Sequence, residues 1–154
     1  MPYSLLEIID NATTGGAEKS TYLISEEFKK QGFDVHIAFP EGPFAEQFET
    51  LANEGIKTLK LTIRSQFLRS LFQLRRYIKD QGITTIHSHQ MRADLLVTLA
   101  TLFNTAIRKV TSVHCLIKDD ISNPLKRFLY YCISRFSYKR FDRVFTVSQD
   151  VTRN

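Results

Sequence analysis

The feature that most limits the fold is a regular alternation of short apolar strands with amphipathic helices, joined by brief connections. Tyr3–Ile9 opens as a strand and runs into the turn-rich stretch Asp10–Gly16. Ala17–Gln31 follows with helical spacing, Leu23, Ile24 and Phe28 supplying part of its expected inward face, and Gly32 stops it. Phe33–Phe39 resumes strand character, Pro40–Gly42 breaks it, and a helix is expected around Phe44–Asn53. The pattern repeats as strand Ile56–Leu61, helix Gln66–Lys79, a stop at Gly82 and strand Ile83–His87. It continues with helix Arg92–Phe103, apolar enough to expect burial on several sides, and strand Lys109–His114. Helix Leu125–Tyr138 and strand Arg143–Val147 complete it. Parallel strands need a crossover, usually a helix, so six strands in this order predict an α/β chain in three layers around a mainly parallel central sheet.

A chain of 154 residues has room for one substantial core and is too short for two ordinary domains. With 43% hydrophobic and 24% charged residues, and no repeat or low-complexity tract, disorder and fibrous architectures are excluded. Two cysteines, Cys115 and Cys132, make neither a disulfide scaffold nor a metal cluster. There is no signal-like start, and Leu95–Phe103 is too short to span a bilayer and carries Thr98 and Thr101. A cytoplasmic location is expected, with peripheral attachment to the membrane left open. The sequence stops at Asp150–Asn154, where the alternation expects another helix, so it reads as part of a longer polypeptide.

The polar residues gather at one place in this order. Asn11–Gly16, His87–Gln90, His114 and Ser148–Gln149 each follow a proposed parallel strand, and the carboxyl ends of such strands line the usual ligand crevice. In the first loop, Gly15 and Gly16 permit close backbone approach and unusual dihedrals, while a following helix points free N–H groups at phosphate. A flexible strand–helix connection explains the same residues, and neither G-x-G-x-x-G nor a Walker A ending is present. Glu18 suits the first turn of a helix electrostatically, which competes with ligand binding as its explanation.

His87 and His89 are spaced to point to one side of a strand. They make a metal pair on paper, but no clear third ligand is apparent at suitable spacing, so no metal is expected. Near the strand end, one of them can satisfy loop backbone groups while the other approaches an acceptor. Gln90 and Arg92 open the next helix and serve either as local caps or as contacts for acceptor hydroxyls or phosphates. His36, inside a strand, reads as structural. Cys115 beside His114 does not establish a nucleophile–base pair, and no Gly-x-Ser-x-Gly elbow surrounds Ser148.

Four pieces of the chain, Gly15-Gly16-Ala17-Glu18, Ile86-His87-Ser88-His89, Ser112-Val113-His114 and Phe141–Ser148, occur in an order that carries a resemblance. The sequence resembles the N-terminal domain of the GT-B glycosyltransferases, specifically family 4, across nearly its whole length. The resemblance implies a Rossmann-like half of a GT-B fold, with residues 1–154 forming the acceptor-side domain. It implies that Gly15 and Gly16 lie beside a donor diphosphate, Gly16 being the better candidate for a backbone contact. It implies that His114 faces the donor sugar or phosphate as the catalytic candidate, a structural or loop-capping histidine being the alternative, and that Ser148 either marks the interdomain cleft or stabilises the next helix. Asn11, Glu18, His87, His89, Gln90 and Arg92 complete the polar set as candidates for acceptor contact. Most donor recognition in the family belongs to a C-terminal domain with a Glu-x7-Glu motif, which has no match here, so this piece is expected to be inactive alone.

The activity so implied is retaining transfer of a hexosyl group from a UDP- or GDP-linked sugar, without a metal or other cofactor. The acceptor is a saccharide or glycolipid of cell-envelope or polysaccharide biosynthesis. A non-catalytic nucleotide- or phosphosugar-binding module is the alternative.

The net charge of +5 is concentrated rather than spread. Arg64–Gln81 carries five basic residues and one acidic, and Lys126–Arg143 six basic and one acidic. In the first, Phe67, Leu71, Leu74 and Ile78 make an apolar stripe. In the second, Leu125, Leu129, Cys132, Ile133 and Phe136 are expected to face inward. Sheet-covering helices with solvated basic edges account for each segment. Together with Tyr130, Tyr131 and Tyr138 they also suit an anionic membrane surface. No motif for specific nucleic-acid reading is present.

Overall fold

The computed structural model describes residues 3–114 and 123–146. The described elements are β1 (Ser4–Ile9), α1 (Gly16–Lys30), β2 (Asp34–Phe39), α2 (Ala45–Thr50), a 3₁₀ turn (Leu51–Glu54) and β3 (Lys57–Lys60). They continue as α3 (Phe67–Gln81), β4 (Thr85–His89), α4 (Met91–Ala100), β5 (Arg108–Val113), α5 (Pro124–Tyr138) and β6 (Arg143–Thr146). The six strands form one sheet in the order β3-β2-β1-β4-β5-β6, and every neighbouring pair is parallel. The chain builds outward from β1 in one direction, then returns to β4 and builds outward in the other. The switch point therefore lies between β1 and β4, where a doubly wound sheet opens its ligand crevice.

Glycine sets two of the helix ends. Gly32 and Gly82 have φ of +87° and +62°, a region that a side chain disfavours. Their N–H groups bond back to the carbonyls of Lys29 and Lys79, and the next residues, Phe33 and Ile83, bond to Phe28 and Ile78. This paired closure satisfies the last carbonyls of α1 and α3 and turns the chain into the next strand. Phe28 and Phe33 seal the first of them with ring centroids 5.0 Å apart.

Alternation along the strands separates two cores. Leu6, Ile8 and Ile86 pack against Leu71, Leu74 and Ile78 of α3 and Ala93, Leu96 and Val97 of α4. Ile9, Val35, Ile37 and Phe39 pack on the opposite face against Ala17 of α1 and Phe48 of α2. Each large side chain fully removed from water there stabilises the fold by about 1.5–3 kcal/mol. The second core stops at β1. Toward β6, among the described residues, no helix covers this face, and a hollow of about 1000 Å³ is lined by Leu5, Glu7, His87, Val110, Ser112 and Phe145 among others.

Two expected helix faces are corrected. In α1 the buried positions are Ala17, Glu18, Thr21 and Ser25, whereas Leu23 is 62% exposed. Small side chains at i, i+4 spacing let this helix lie close on the sheet and turn Leu23 to the outside. In α5 the buried positions are Ser134 and Ser137. Leu125 is 76% and Phe128 66% exposed, Leu129, Cys132 and Phe136 are also exposed, and Ile133 alone of the expected inward set is half-buried. The helix rests on α4 through its serine stripe, so its larger apolar residues have nothing over them among the described residues. The apolar stripe of α3 faces inward as expected, while Leu68 and Phe72 lie exposed beside it. α4, packed between α3 and α5, buries five of its ten residues, the burial that its apolar composition predicts.

Candidate functional site

The site grows from a charged residue inside an apolar strand. β1 reads Ser-Leu-Leu-Glu-Ile-Ile and every position in it is buried. Glu7 stands opposite His87 in the register of β1 with β4, and His89 stands opposite Ser112 in that of β4 with β5. A buried carboxylate must be paired to remain ionised, and here two imidazoles do so. His89 Nε2 lies 2.8 Å from Glu7 Oε2, and His87 Nδ1 lies 3.1 Å from both oxygens. His87 Nε2 meets Ser112 Oγ at 2.9 Å, and His89 Nδ1 meets His114 Nε2 at 3.1 Å. The network thus runs from the middle of β1 to the end of β5.

Burial alone raises the carboxyl pKa of Glu7, but the charge of His87 and hydrogen bonds from both imidazoles outweigh it and bring it to about 2. His87 is pulled down by burial, yet Glu7 more than reverses this and leaves it raised. His89, more deeply buried, is lowered despite the same carboxylate. His114 is half-buried and is lowered by burial and by the neighbouring histidines. One anion therefore favours the proton on His87, while His89 and His114 favour their neutral forms.

The first loop closes on itself beside this network. Glu18, buried, accepts from the backbone N–H and the hydroxyl of Thr13 at 3.2 and 2.8 Å. Asn11 Nδ2 donates to the Thr13 hydroxyl, and the carbonyl of Ala12 accepts from Phe44 N–H. Gly15 caps α1 in an extended conformation and no side chain caps the helix, so its first-turn amides stay open to an anion. The unusual dihedrals expected of Gly15 and Gly16 are absent, since neither has a positive φ. Gly16 is instead notable for space: a Cβ there meets nothing within 4 Å. The charge of Glu18 acts on both His89 and His114, which places the loop and the histidines in one electrostatic neighbourhood.

Gln90 and Arg92 lie at the same crevice. Gln90 caps α4 at φ 79° and ψ 148°, a strained conformation for a residue with a side chain, and its buried Oε1 has no partner among the described residues. Arg92 reaches Asp10 at 3.7 Å and the Tyr130 hydroxyl at 3.4 Å. Burial raises the pKa of Asp10, against the lowering effect of Arg92 and Arg64. His36 lies outside this constellation, bonded to Tyr77 and Asp34. Cys115, Ser148 and Gln149 fall outside the described residues.

The structure supplies what was missing from the histidine pair. Donor atoms of Glu7, His87 and His89 lie within 4.8 Å of one another, so a third metal-ligating group is present after all. The same atoms also lie within hydrogen-bond distance of one another, His87 Nδ1 and His89 Nε2 both facing Glu7. Glu7, Asp10, Ser112 and Arg64 were not among the expected site residues. An acidic residue in the middle of an otherwise apolar central strand was the readable signal for Glu7, while the other three depend on which strands are neighbours.

An all-parallel doubly wound sheet with helices on both faces and polar loops at its switch point defines a Rossmann-like domain, one half of a GT-B fold. Residues 14–154 match Glycosyltransferase Family 4, and the chain belongs to that family, to its N-terminal domain. No curated protein shows a significant sequence match to the chain. Among solved structures, a glycosyltransferase from Rickettsia africae superposes with TM-score 0.74 at 20% identity, covering 99% of this chain and 38% of that one. Anabaena HepE, solved in complex with UDP and glucose, gives 0.66 at 12%, covering 91% and 37%. The lipopolysaccharide outer core galactosyltransferase WaaB gives 0.67 at 13%, covering 97% and 41%. At these identities the likeness establishes the fold. The chain spans about two fifths of the length of each of these structures.

Proposed function

We propose that this chain is the acceptor-side half of a retaining glycosyltransferase that moves a hexosyl group from a UDP- or GDP-linked sugar to a saccharide or lipid-linked acceptor. The observation that carries it is His114 at the end of the buried Glu7–His89 chain, within the electrostatic reach of Glu18 in the first turn of α1, whose start has no side-chain cap among the described residues. Transfer from a nucleoside diphosphate sugar requires stabilising charge on the departing diphosphate and aligning a hydroxyl with the anomeric carbon. The first-turn amides of α1 suit the first task, and the open space at Gly16 admits a phosphate oxygen close to the backbone. His114 suits the second, orienting a sugar hydroxyl or phosphate oxygen. In retention, attack and departure share one face, so the leaving diphosphate can receive the acceptor proton and no metal is required.

Gln90, with its strained backbone and a side-chain Oε1 that is unpartnered among the described residues, is the acceptor contact best supported by geometry. Arg92 holds Asp10 in place and borders the same crevice, and Ser148 stays in the proposal as a cleft residue. The solved relatives are more than twice as long, and the remainder of the donor pocket is assigned to a second α/β domain that closes over this one. A glycolipid acceptor is favoured by α5, whose exposed Leu125, Phe128, Leu129 and Phe136 lie among Lys126, Arg127, Arg135 and Arg140. No described helix is long and apolar enough to cross a membrane; the proposed contact is a peripheral one, at a cytoplasmic anionic surface in the service of cell-envelope or polysaccharide synthesis.

The test is product formation by the intact protein with several donor classes and added acceptors, followed by mass spectrometry. His114→Ala is expected to lower turnover by about 10²-fold or more with little change in thermal stability. Unchanged turnover removes the role of His114. Donor binding without transfer or hydrolysis across matched acceptors favours a non-catalytic nucleotide- or phosphosugar-binding module.

A further inference from the structure

The hydrogen-bond polarity of the buried network has a definite direction. A carboxylate only accepts, so His87 Nδ1 and His89 Nε2 must both carry hydrogen where they face Glu7. His89 is fully buried next to a second imidazole, a setting that favours its neutral form. A neutral ring with hydrogen on Nε2 has a bare Nδ1, and the atom facing that lone pair is His114 Nε2, 3.1 Å away. The bond is made only if His114 Nε2 carries the hydrogen. In the neutral His114 ring the remaining nitrogen, Nδ1, is then bare, and it has no partner among the described residues.

We infer that Glu7 is a positioning residue that acts through His89 to set the tautomer of His114, leaving His114 Nδ1 as a hydrogen-bond acceptor for a substrate hydroxyl. The inference rests on the proposed role of His114 in sugar transfer, but the tautomer itself is a property of the free protein. An isolated imidazole exchanges between two neutral tautomers. Here the choice is made two side chains away, by a carboxylate buried in the middle of β1. The consequence is chemical selectivity. His114 Nδ1 accepts from a hydroxyl group and repels a second acceptor such as an ionised phosphate oxygen, so a sugar hydroxyl becomes its proper partner.

A metal seated among Glu7, His87 and His89 reverses this polarity. Coordination at His89 Nε2 moves the hydrogen to Nδ1, which then donates to His114 Nε2 and leaves the hydrogen of His114 on Nδ1. The two arrangements are therefore distinguishable by a single spectroscopic observation.

The experiment is long-range proton–nitrogen correlation NMR on the intact protein labelled with ¹⁵N-histidine, the His114 signals being assigned by their loss in His114→Ala. The parent is expected to show a single His114 tautomer, protonated at Nε2, unaltered by EDTA. Glu7→Gln presents both a donor and an acceptor to the rings, so loss of the single tautomer is expected. With it comes a fall in kcat of about tenfold, the worth of one mis-set hydrogen bond, at a donor KM that stays within about twofold. His89→Gln keeps a donor for Glu7 and an acceptor for His114, and retention of the Nε2-protonated form is expected. His89→Leu keeps neither and should lose it. Hydrogen on His114 Nδ1 in the parent, a tautomer that changes on chelation, or an unaltered tautomer in either Glu7→Gln or His89→Leu overturns the inference. Should Glu7→Gln fail to fold, the parent spectrum and the two His89 variants decide the matter alone. Absence of transfer with any donor counts against the enzymatic reading and leaves the tautomer result standing.

Discussion

Asp94 offers a direct test of how charge is held beneath the crevice. It lies in the first turn of α4, fully inside the protein, and its Oδ1 accepts from Ser88 on β4 at 2.6 Å and Thr111 on β5 at 2.7 Å. It thereby pins the helix to the two strands that carry His87, His89 and Ser112. Its Oδ2 is buried without a partner among the described residues. Burial pushes the carboxyl up to about 6 from an ordinary 3.8, against the lowering effect of its two hydroxyl partners. Because the folded pKa is the higher one, the stabilisation is complete below pH 3.8 and is lost as pH rises through about 6. A shift of this size corresponds to ~3 kcal/mol at pH 8.

Asp94→Asn keeps the accepting oxygen for Ser88 and Thr111 and removes the ionisation. At pH 4 the variant should match the parent to within about 1 kcal/mol, since both side chains are then neutral. At pH 8 it should be the more stable by up to ~3 kcal/mol, a rise in Tm of roughly 6–12 °C for a domain of this size. Thermal unfolding followed by circular dichroism at both pH values measures the difference, and comparing variant with parent cancels the titrating groups that are not coupled to Asp94, Asp10 and His87 being the coupled ones. Equal stability at pH 8 refutes the reasoning, because it means that the Asp94 carboxylate is already well solvated or paired. A variant less stable by the same amount at both pH values refutes it equally, by showing that shape rather than charge governs the position.

Three further outcomes are expected. Gln90→Gly should relieve the strain at φ 79°, raising stability by ~1 kcal/mol, and should raise the acceptor KM if the unpartnered amide carbonyl binds substrate; steady-state kinetics with denaturation curves separate the two effects. Gly42→Ala places a Cβ 2.6 Å from the carbonyl oxygen of Ala12, so it should cost about 1–3 kcal/mol by displacing the loop that leads to Gly15, with weaker donor binding by calorimetry. Replacing Phe128 and Leu129 of α5 with Asp should lower binding to vesicles containing anionic lipid by about tenfold or more at unchanged Tm, since both side chains are exposed; equal vesicle binding removes the membrane surface from the proposal.

What could be read in the sequence and what could not divide along physical lines. The helix stops at Gly32 and Gly82 were legible because a left-handed turn leaves a residue-specific mark, and the structure closes both helices there. Strand order was legible only as class: alternation predicts parallel strands, but not that β4 returns beside β1, and it is that neighbour relation which brings Glu7 to His87. The histidine pair was therefore correctly placed on one face and wrongly judged to lack a third partner. Periodicity failed differently in α5. Apolar residues at Leu125, Leu129, Cys132 and Phe136 have helical spacing, but spacing reports that a face exists and not what covers it. Ser134 and Ser137 took the buried side because small residues let α5 approach α4 closely, leaving the apolar and basic residues together on the outside. That reversal makes a lipid-facing role for α5 more pointed than its charge alone did. A helix whose large apolar residues cover the sheet offers a membrane only its charges, whereas this one, among the described residues, exposes hydrophobic side chains together with cations, which is what the proposed lipid contact requires.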